Sequence, residues 1–240
     1  MKKAILMAGL LMVFLIGQVF AMTISAYRQG DANYATDVSD WIDGQGGSTS
    51  LLENFEGAPL GWFGSYTSSG LGTFKAGGEP GIGTSSYSKN GGNTTDIKFS
   101  IRDDAKWFGR ENGSTWLDSG DITLITLTLS VEVDSLFFYL KDPSDVRATT
   151  TATADGASSG SWSTSSQSDG NLWFIGISSG GSGIDTITWT ASNQNDGYGL
   201  DDFTQVTPVP EPATMLLLGV GLIGLAASVR RRGIVKSSIR

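Results

Sequence analysis

The stretch that decides the fold runs from Asp121 to Lys141 and reads DITLITLTLSVEVDSLFFYLK. In residues 121–133, Leu, Ile and Val alternate with Thr, Ser and Glu. This period of two, with many β-branched side chains, predicts a half-buried strand. Residues 135–141 predict a second strand, and Val133-Asp134-Ser135 between the two predicts a corner.

Further strands are predicted on both sides of this stretch. They cover residues 51–56, 72–75, 97–101, 146–154, 161–165, 171–178, 184–190 and 200–206. Turn signals such as Asp169-Gly170-Asn171 and Asn195-Asp196-Gly197 separate them, and the pattern shows no convincing helical period. Many short strands with regular turns predict an all-β domain over residues 27–206, a β-sandwich or a barrel. Of the two, a jelly-roll-like β-sandwich is favoured. Residues 27–50 are polar and Gly-rich and are predicted to form a loose lead-in.

The N-terminus has the features of an export signal. Two lysines at positions 2 and 3 precede an apolar run over residues 4–20. Val19-Phe20-Ala21 then places small residues at positions −3 and −1 of a signal-peptidase site. Ile24-Ser25-Ala26 is a second candidate site, so the signal peptide is predicted to be residues 1–21 or 1–26.

The C-terminus carries a second apolar run. Residues 213–229 contain no charge, and their length is at the short end of the roughly 17–25 residues that span a bilayer. Arg230, Arg231 and Arg232 follow at once, and such arginines keep their end of a span in the cytoplasm. Residues 213–229 are therefore predicted to be a transmembrane helix, with residues 233–240 as a cytoplasmic tail.

A short motif precedes this span: Val209, Pro210, Glu211 and Pro212. Together with the span and the arginines, residues 207–232 resemble the PEP-CTERM sorting signal. The resemblance implies that an exosortase, a membrane protease-transpeptidase, processes the protein in a Gram-negative bacterium that makes exopolysaccharide. It implies cleavage near Pro-Glu-Pro, with release or attachment at the outer surface. Because proline fixes φ and disfavours helix, Glu211 is predicted to lie in an extended, accessible segment.

Composition excludes several classes of function. The chain of 240 residues has no Cys and no His, which removes disulfides, thiolate metal sites and catalytic mechanisms based on imidazole. Removing residues 1–21 and 213–240 takes away seven of the 16 basic residues and none of the 24 acidic ones, leaving a net charge of about −15. A nucleic-acid partner is excluded on this charge. The negative charge is better explained by the binding of divalent cations or by solubility outside the cell.

Acidic residues near the two ends of the domain suggest a metal site. Asn54-Phe55-Glu56-Gly57 lies near the start, and Asp201 and Asp202 lie near the end. This layout resembles jelly-roll β-sandwiches of the carbohydrate-binding-module type, in which acidic residues of the first and last strands share a structural Ca²⁺. Strand alternation predicts that one of the two aspartates lies on an otherwise apolar face, where a cation would stabilise it. The alternative is that both aspartates are solvated or hydrogen-bonded at a strand end.

Seven tryptophans are many for this length. Exposed aromatic rings beside Asn and Asp bind sugars by stacking and hydrogen bonding. Trp173 and Trp189 lie in predicted strands and are assigned to the core. The four candidates for ligand contact have Gly, Ser or charged neighbours; they are Trp62, Trp107, Trp116 and Trp162.

These features predict an exported, non-catalytic protein of the cell surface or extracellular matrix. Signal peptidase and an exosortase are its predicted processing enzymes, and it is held in the inner membrane before processing. A polysaccharide- or calcium-binding module is the alternative. A glycoside hydrolase is more distant, because nothing in the sequence selects a pair among the 24 acidic residues.

Overall fold

The computed structural model describes residues 21–79, 97–103, 115–144, 146–154, 158–164, 170–192 and 196–208. Within these ranges the chain forms fourteen strands and one helix. In chain order they are β1 (Thr23–Arg28), α1 (Tyr34–Gly44), β2 (Ser48–Glu53), β3 (Gly61–Phe63), β4 (Ser65–Ser68), β5 (Gly72–Gly77), β6 (Phe99–Asp103), β7 (Thr115–Asp118), β8 (Leu124–Val133), β9 (Ser135–Lys141), β10 (Thr149–Ala154), β11 (Ser158–Ser163), β12 (Leu172–Ser178), β13 (Ile184–Thr190) and β14 (Gly199–Thr207).

The strands form two antiparallel sheets. Sheet A has the order β1-β12-β9-β14-β7-β6-β3, and β2 also pairs with β14. Sheet B has the order β11-β10-β13-β8-β5-β4. From β8 onward the chain passes repeatedly from one sheet to the other, which is the connectivity of a jelly-roll-like sandwich. The predicted all-β sandwich is therefore confirmed.

The stretch that predicted the fold supplies a strand to each sheet. Residues 124–133 form β8 in sheet B, and residues 135–141 form β9 in sheet A. The corner predicted at Asp134 is therefore confirmed, since the chain changes sheet there. A sandwich needs such corners, because its two sheets share one core.

A cluster of aromatic rings lies in the core between the sheets. Phe138 and Phe203 of sheet A stack with ring centroids 5.1 Å apart. Phe74 of sheet B lies 5.4 Å from Phe203, and Trp189 of sheet B lies 5.3 Å from Phe138. All four side chains are fully buried. Rings contributed by both sheets thus join them into one hydrophobic core.

The predicted loose lead-in is wrong. Residues 27–50 contain the end of β1, the helix α1 and the start of β2. Tyr34, Val38, Trp41 and Ile42 lie on one face of α1 and pack on Phe137 and other side chains of sheet A. Their spacing of four, three and one residues is the helical period that the sequence contains and the strand-based interpretation overlooked.

The sandwich also begins earlier than residue 27, because β1 starts at Thr23 and Met22 is buried in the core. At the other end, β14 continues to Thr207. The chain divides there into a unit that ends at Thr207 and a second unit of residues 208–240. Residues 1–20 of the predicted signal peptide and the predicted span 213–229 lie outside the described residues. Among the described residues, no helix has both the length and the apolar character needed to cross a membrane.

Candidate functional site

The outer face of sheet A, turned away from the core, carries a row of mixed aromatic and polar residues. The row crosses five neighbouring strands, and each member is paired in register with the next. In strand order the members are Trp62 (β3), Ser100 (β6), Asp118 (β7), Gly199 (β14) and Lys141 (β9). Neighbours of the row along the strands, such as Ile101 and Leu117, are buried in the core. Alternation therefore places the row on the outer face.

A second row lies two residues further along the same strands. Arg102 pairs with Trp116, and Asp201 pairs with Tyr139, which pairs in turn with Phe174. Because side chains two residues apart share a face, this row lies beside the first. Rings, carboxylates and a guanidinium are thus brought together from strands that are distant in sequence.

The charged groups of this face are held in fixed positions. Arg102 donates from Nη1 to Oδ2 of Asp118 at 2.7 Å, and its guanidinium lies 5.9 Å from the centre of the Trp116 ring. The backbone N–H of Gly120 donates to Oδ1 of the same aspartate at 2.9 Å. Both partners of the ion pair are partly shielded from water. A guanidinium held over a ring and against a carboxylate presents a planar, oriented donor.

The far end of the first row is also fixed. Burial lowers the pKa of Lys141, and the neighbouring Asp142 carboxylate opposes that shift. Lys141 donates from Nζ to the carbonyl of Gly170, whose own N–H donates to Oδ1 of Asp142 at 2.6 Å. This end of the face therefore has a cation whose position depends on the turn before β12.

The four candidate tryptophans do not form one cluster. Trp62 is half-buried on the outer face of sheet A, and Trp116 lies on the same face but is only 2% exposed. Trp162 belongs to sheet B and packs against Trp173 at 5.2 Å, at the edge of the core. Trp107 lies outside the described residues. Burial removes Trp116 as an open stacking platform. Trp162 is half-buried, as Trp62 is, but it lies in sheet B, so Trp62 is the candidate with an accessible ring on the outer face of sheet A.

Two residues of this face were not singled out from sequence: Arg102, which was interpreted only as a local ion-pair partner, and Tyr139. Tyr139 lies between the buried Phe138 and Leu140, and this alternation is the signal that places it on the outer face. No comparable signal exists for Arg102, because its neighbour Trp116 belongs to another strand.

The acidic residues of the predicted Ca²⁺ site have defined protein contacts. Glu56 accepts through Oε1 a hydrogen bond of 3.0 Å from the N–H of Thr115, where β7 begins. Asp201 is 4% exposed, and its Oδ1 accepts from the N–H of Asp202 at 2.8 Å. Within the ranges that the structure describes, no group of three or more acidic side chains is gathered in a way that could hold a metal. The Ca²⁺ site stays a prediction.

A bulge changes the predicted alternation at the two aspartates. The pairs of β14 with β9 pass from Asp201–Tyr139 to Thr204–Phe137, so β14 contains one extra residue. Asp202 has a φ of 54° at this point. Leu200 and Phe203 are both buried in the core. The bulge interrupts the simple alternation on which the prediction rested, because it returns Phe203 to the core and leaves Asp201 on the outer face.

Comparison with protein families identifies the segment that follows the sandwich. Residues 208–232 match the PEP-CTERM protein-sorting motif. The chain therefore carries this motif directly after β14, as the sequence resemblance predicted. The four motif residues at 209–212 and the arginines at 230–232 lie within the match and outside the described residues.

The sandwich has structural neighbours among carbohydrate-binding modules. A family 11 module of a Clostridium thermocellum cellulase is 13% identical, covers 69% of this chain and 98% of its own, and has a TM-score of 0.34. A family 29 module is 14% identical, with coverages of 70% and 93% and a TM-score of 0.32. A family 61 module in complex with β-1,4-galactotriose is 13% identical, with coverages of 44% and 79% and a TM-score of 0.30. Scores this low do not define a function for this chain. No curated protein matches it.

Proposed function

We propose that this chain is an exported, non-catalytic protein of the cell surface or extracellular matrix, sorted through its C-terminal motif. The observation that carries the proposal is the match of residues 208–232 to the sorting motif, beginning one residue after the last strand. A folded domain that ends where a sorting signal begins can be separated from it without damage to the core.

The proposed route has two processing enzymes. Signal peptidase removes the N-terminal signal, and the apolar span at 213–229 then holds the chain in the inner membrane. An exosortase of an exopolysaccharide-producing Gram-negative bacterium acts near Pro-Glu-Pro, and the sandwich reaches the cell surface or the medium. The net charge of about −15 that remains on residues 22–212 keeps such a domain soluble outside the cell.

The intact mass and location of the protein in its native host test this route. We expect a chain that ends near residues 210–212, found outside the inner membrane. Glu211→Ala should leave the C-terminal segment attached, because the protease then lacks a residue of its motif. Glu132→Ala, at an exposed position of β8, is the control and should be processed normally. A full-length C-terminus in the wild type, or unchanged processing of Glu211→Ala, would contradict the proposal.

A second function, polysaccharide binding, is favoured by the outer face of sheet A. Trp62 and Tyr139 are half-buried there, so each has part of a ring available to a ligand. Arg102, held by Asp118, lies between them on the sheet and can donate hydrogen bonds to hydroxyls. A stacking ring beside oriented polar groups is the arrangement that binds sugars.

Binding to purified exopolysaccharide of the producing bacterium tests this function by affinity electrophoresis. Trp62→Ala should weaken binding about tenfold, since one aromatic contact is worth about 1.4 kcal/mol. Trp62→Phe should restore most of the binding because it keeps a ring. Thr151→Ala, on the outward side of β10 in sheet B, is the matched control and should bind as the wild type does. Equal binding by Trp62→Ala would exclude this face, and release of reducing ends from the polysaccharide would favour the hydrolase instead.

A further inference from the structure

Strand β1 distinguishes between the two candidate signal-peptidase sites. Thr23 to Arg28 form an edge of sheet A, and all six residues are in register with β12, from Thr23–Ser178 to Arg28–Trp173. One candidate site, after Ala21, lies just before this strand. The other, after Ala26, lies inside it.

The residues between the two sites are part of the core. Met22 is 8% exposed and belongs to the main hydrophobic cluster, and Ile24 and Ala26 pack against that cluster. They also fit tightly against sheet B, because a methyl group on Gly160 of β11 would lie 3.3 Å from both Met22 Cγ and Ile24 Cγ1. Residues 22–26 thus close one side of the sandwich.

A cut after Ala26 would remove four of the six register pairs of β1. It would also leave the edge of β12 unpaired along Ile175–Ser178, where Ile175 and Ile177 are fully buried. An unpaired apolar edge is a site of aggregation, and the lost side chains would leave a gap beside Gly160. A cut after Ala21 leaves every pair in place.

Accessibility alone does not choose between the sites, because β12 follows β1 by more than 140 residues and cannot yet pair with it as the signal leaves the membrane. The two cuts differ in the mature chain that they leave, because only the cut after Ala21 keeps the whole of β1. We propose that signal peptidase cuts after Ala21, that the mature protein begins at Met22, and that Ala26 is a strand residue and not a processing site. This inference rests on the export proposed above.

Intact mass and N-terminal sequence of the exported wild-type protein test the inference. We expect Met22 as the first residue. Ala21→Leu should accumulate as precursor, because a large side chain at position −1 blocks the enzyme. Ala26→Val, which would block the second site while keeping a strand-forming residue, should give the same N-terminus as the wild type.

The outcomes separate the two proposals. A wild-type chain that begins at Tyr27, or an Ala26→Val variant that accumulates as precursor while Ala21→Leu is processed, would overturn this inference and leave export intact. A chain that keeps Met1 would overturn both. These readouts depend on cleavage before folding, so the stability of the variants does not affect them.

Discussion

Tyr198, the residue before β14, links the two sheets. Its side chain is fully buried, and its hydroxyl donates to the carbonyl of Trp189 in β13 at 3.3 Å. Its N–H donates to Oγ of Ser119 at 2.9 Å. Burial raises the pKa of the phenol far above its usual range. The folded state therefore requires the neutral form of this tyrosine.

We expect Tyr198→Phe to lower the stability of the fold at neutral pH and to reduce the further loss of stability at alkaline pH. At neutral pH the loss of one hydrogen bond should lower the free energy of unfolding by about 1 kcal/mol. Above a pH of about 10, the unfolded chain releases the Tyr198 proton and the folded chain keeps it, so wild-type stability falls as pH rises. The variant should lose less stability over that range.

Urea unfolding at neutral pH and above pH 10 measures this difference. Tyr27→Phe, on the outer face of sheet A, is the matched control and should keep the alkaline decline caused by Tyr198. If Tyr198→Phe declined as steeply as the wild type, the tyrosine would not be the group responsible.

At the scale of elements, α1 packs on the outer face of sheet A. Trp41 contacts the ring of Phe174 at 5.4 Å and that of Phe137 at 6.3 Å, both edge to face. Gly176 of β12 leaves the space for it, because a methyl group there would lie 2.5 Å from Cε2 of Trp41. The close approach of the Trp41 ring to Gly176 is therefore one of the contacts that position the helix.

Gly176→Ala should lower the free energy of unfolding by about 1–3 kcal/mol, the usual cost of overpacking. Gly57→Ala is the matched control, because a methyl group at that position meets no atom within 4 Å. Urea denaturation of both variants gives the comparison. Equal stability of the two would mean that α1 shifts freely and is not held by this contact.

The strands that the sequence predicts well are those with several alternating residues. β9 and β13 have the predicted bounds, 135–141 and 184–190. β3 and β7 were not predicted, because three or four residues are too few to show a period. β1 was not predicted because its residues overlap the second candidate cleavage site. α1 was missed because its apolar residues are separated by polar ones, which imitates a loop.

The Ser/Thr-rich composition has a structural explanation in sheet B. Register pairs place one outward row across all six strands, and every member is Ser or Thr: Ser159, Thr153, Thr186, Thr128, Thr73 and Thr67. Thr is favoured in strands and keeps an outer face in contact with water. Two of these Ser/Thr-rich segments, β10 and β11, pair with each other in antiparallel register from Thr149–Ser163 to Ala154–Ser158.

At the scale of the whole molecule, the candidate face illustrates what a sequence alone can predict. Trp62, Trp116 and Asp201 were singled out by residue type, and they share the outer face of sheet A. Their association could not be predicted, because β3, β7 and β14 become neighbours only through the sheet order. The burial of Trp116 also follows from packing that involves several elements.

The two ends of the domain are also brought together, which gives the Ca²⁺ prediction its test. Glu53, at the end of β2, pairs with Phe203 in β14, next to the bulge at Asp202. Glu56 follows β2 and contacts the first residue of β7, a strand that pairs with β14 through Leu200. A cation bound by acidic groups of both segments would therefore stabilise the closure of sheet A.

If Ca²⁺ binds there, free Ca²⁺ at 100 times its Kd should stabilise the folded state by about 2.7 kcal/mol, because it binds the folded state alone. For a domain of this size that corresponds to a rise in Tm on the order of 5–10 °C. Asp202→Asn should abolish the difference between Tm values measured in Ca²⁺ and in EDTA, whereas Asp40→Asn, exposed on α1, should preserve it. A wild-type Tm that is the same in both conditions would contradict the Ca²⁺ site, and the hydrogen bond from the N–H of Asp202 to Oδ1 of Asp201 would then be a contact of the bulge alone.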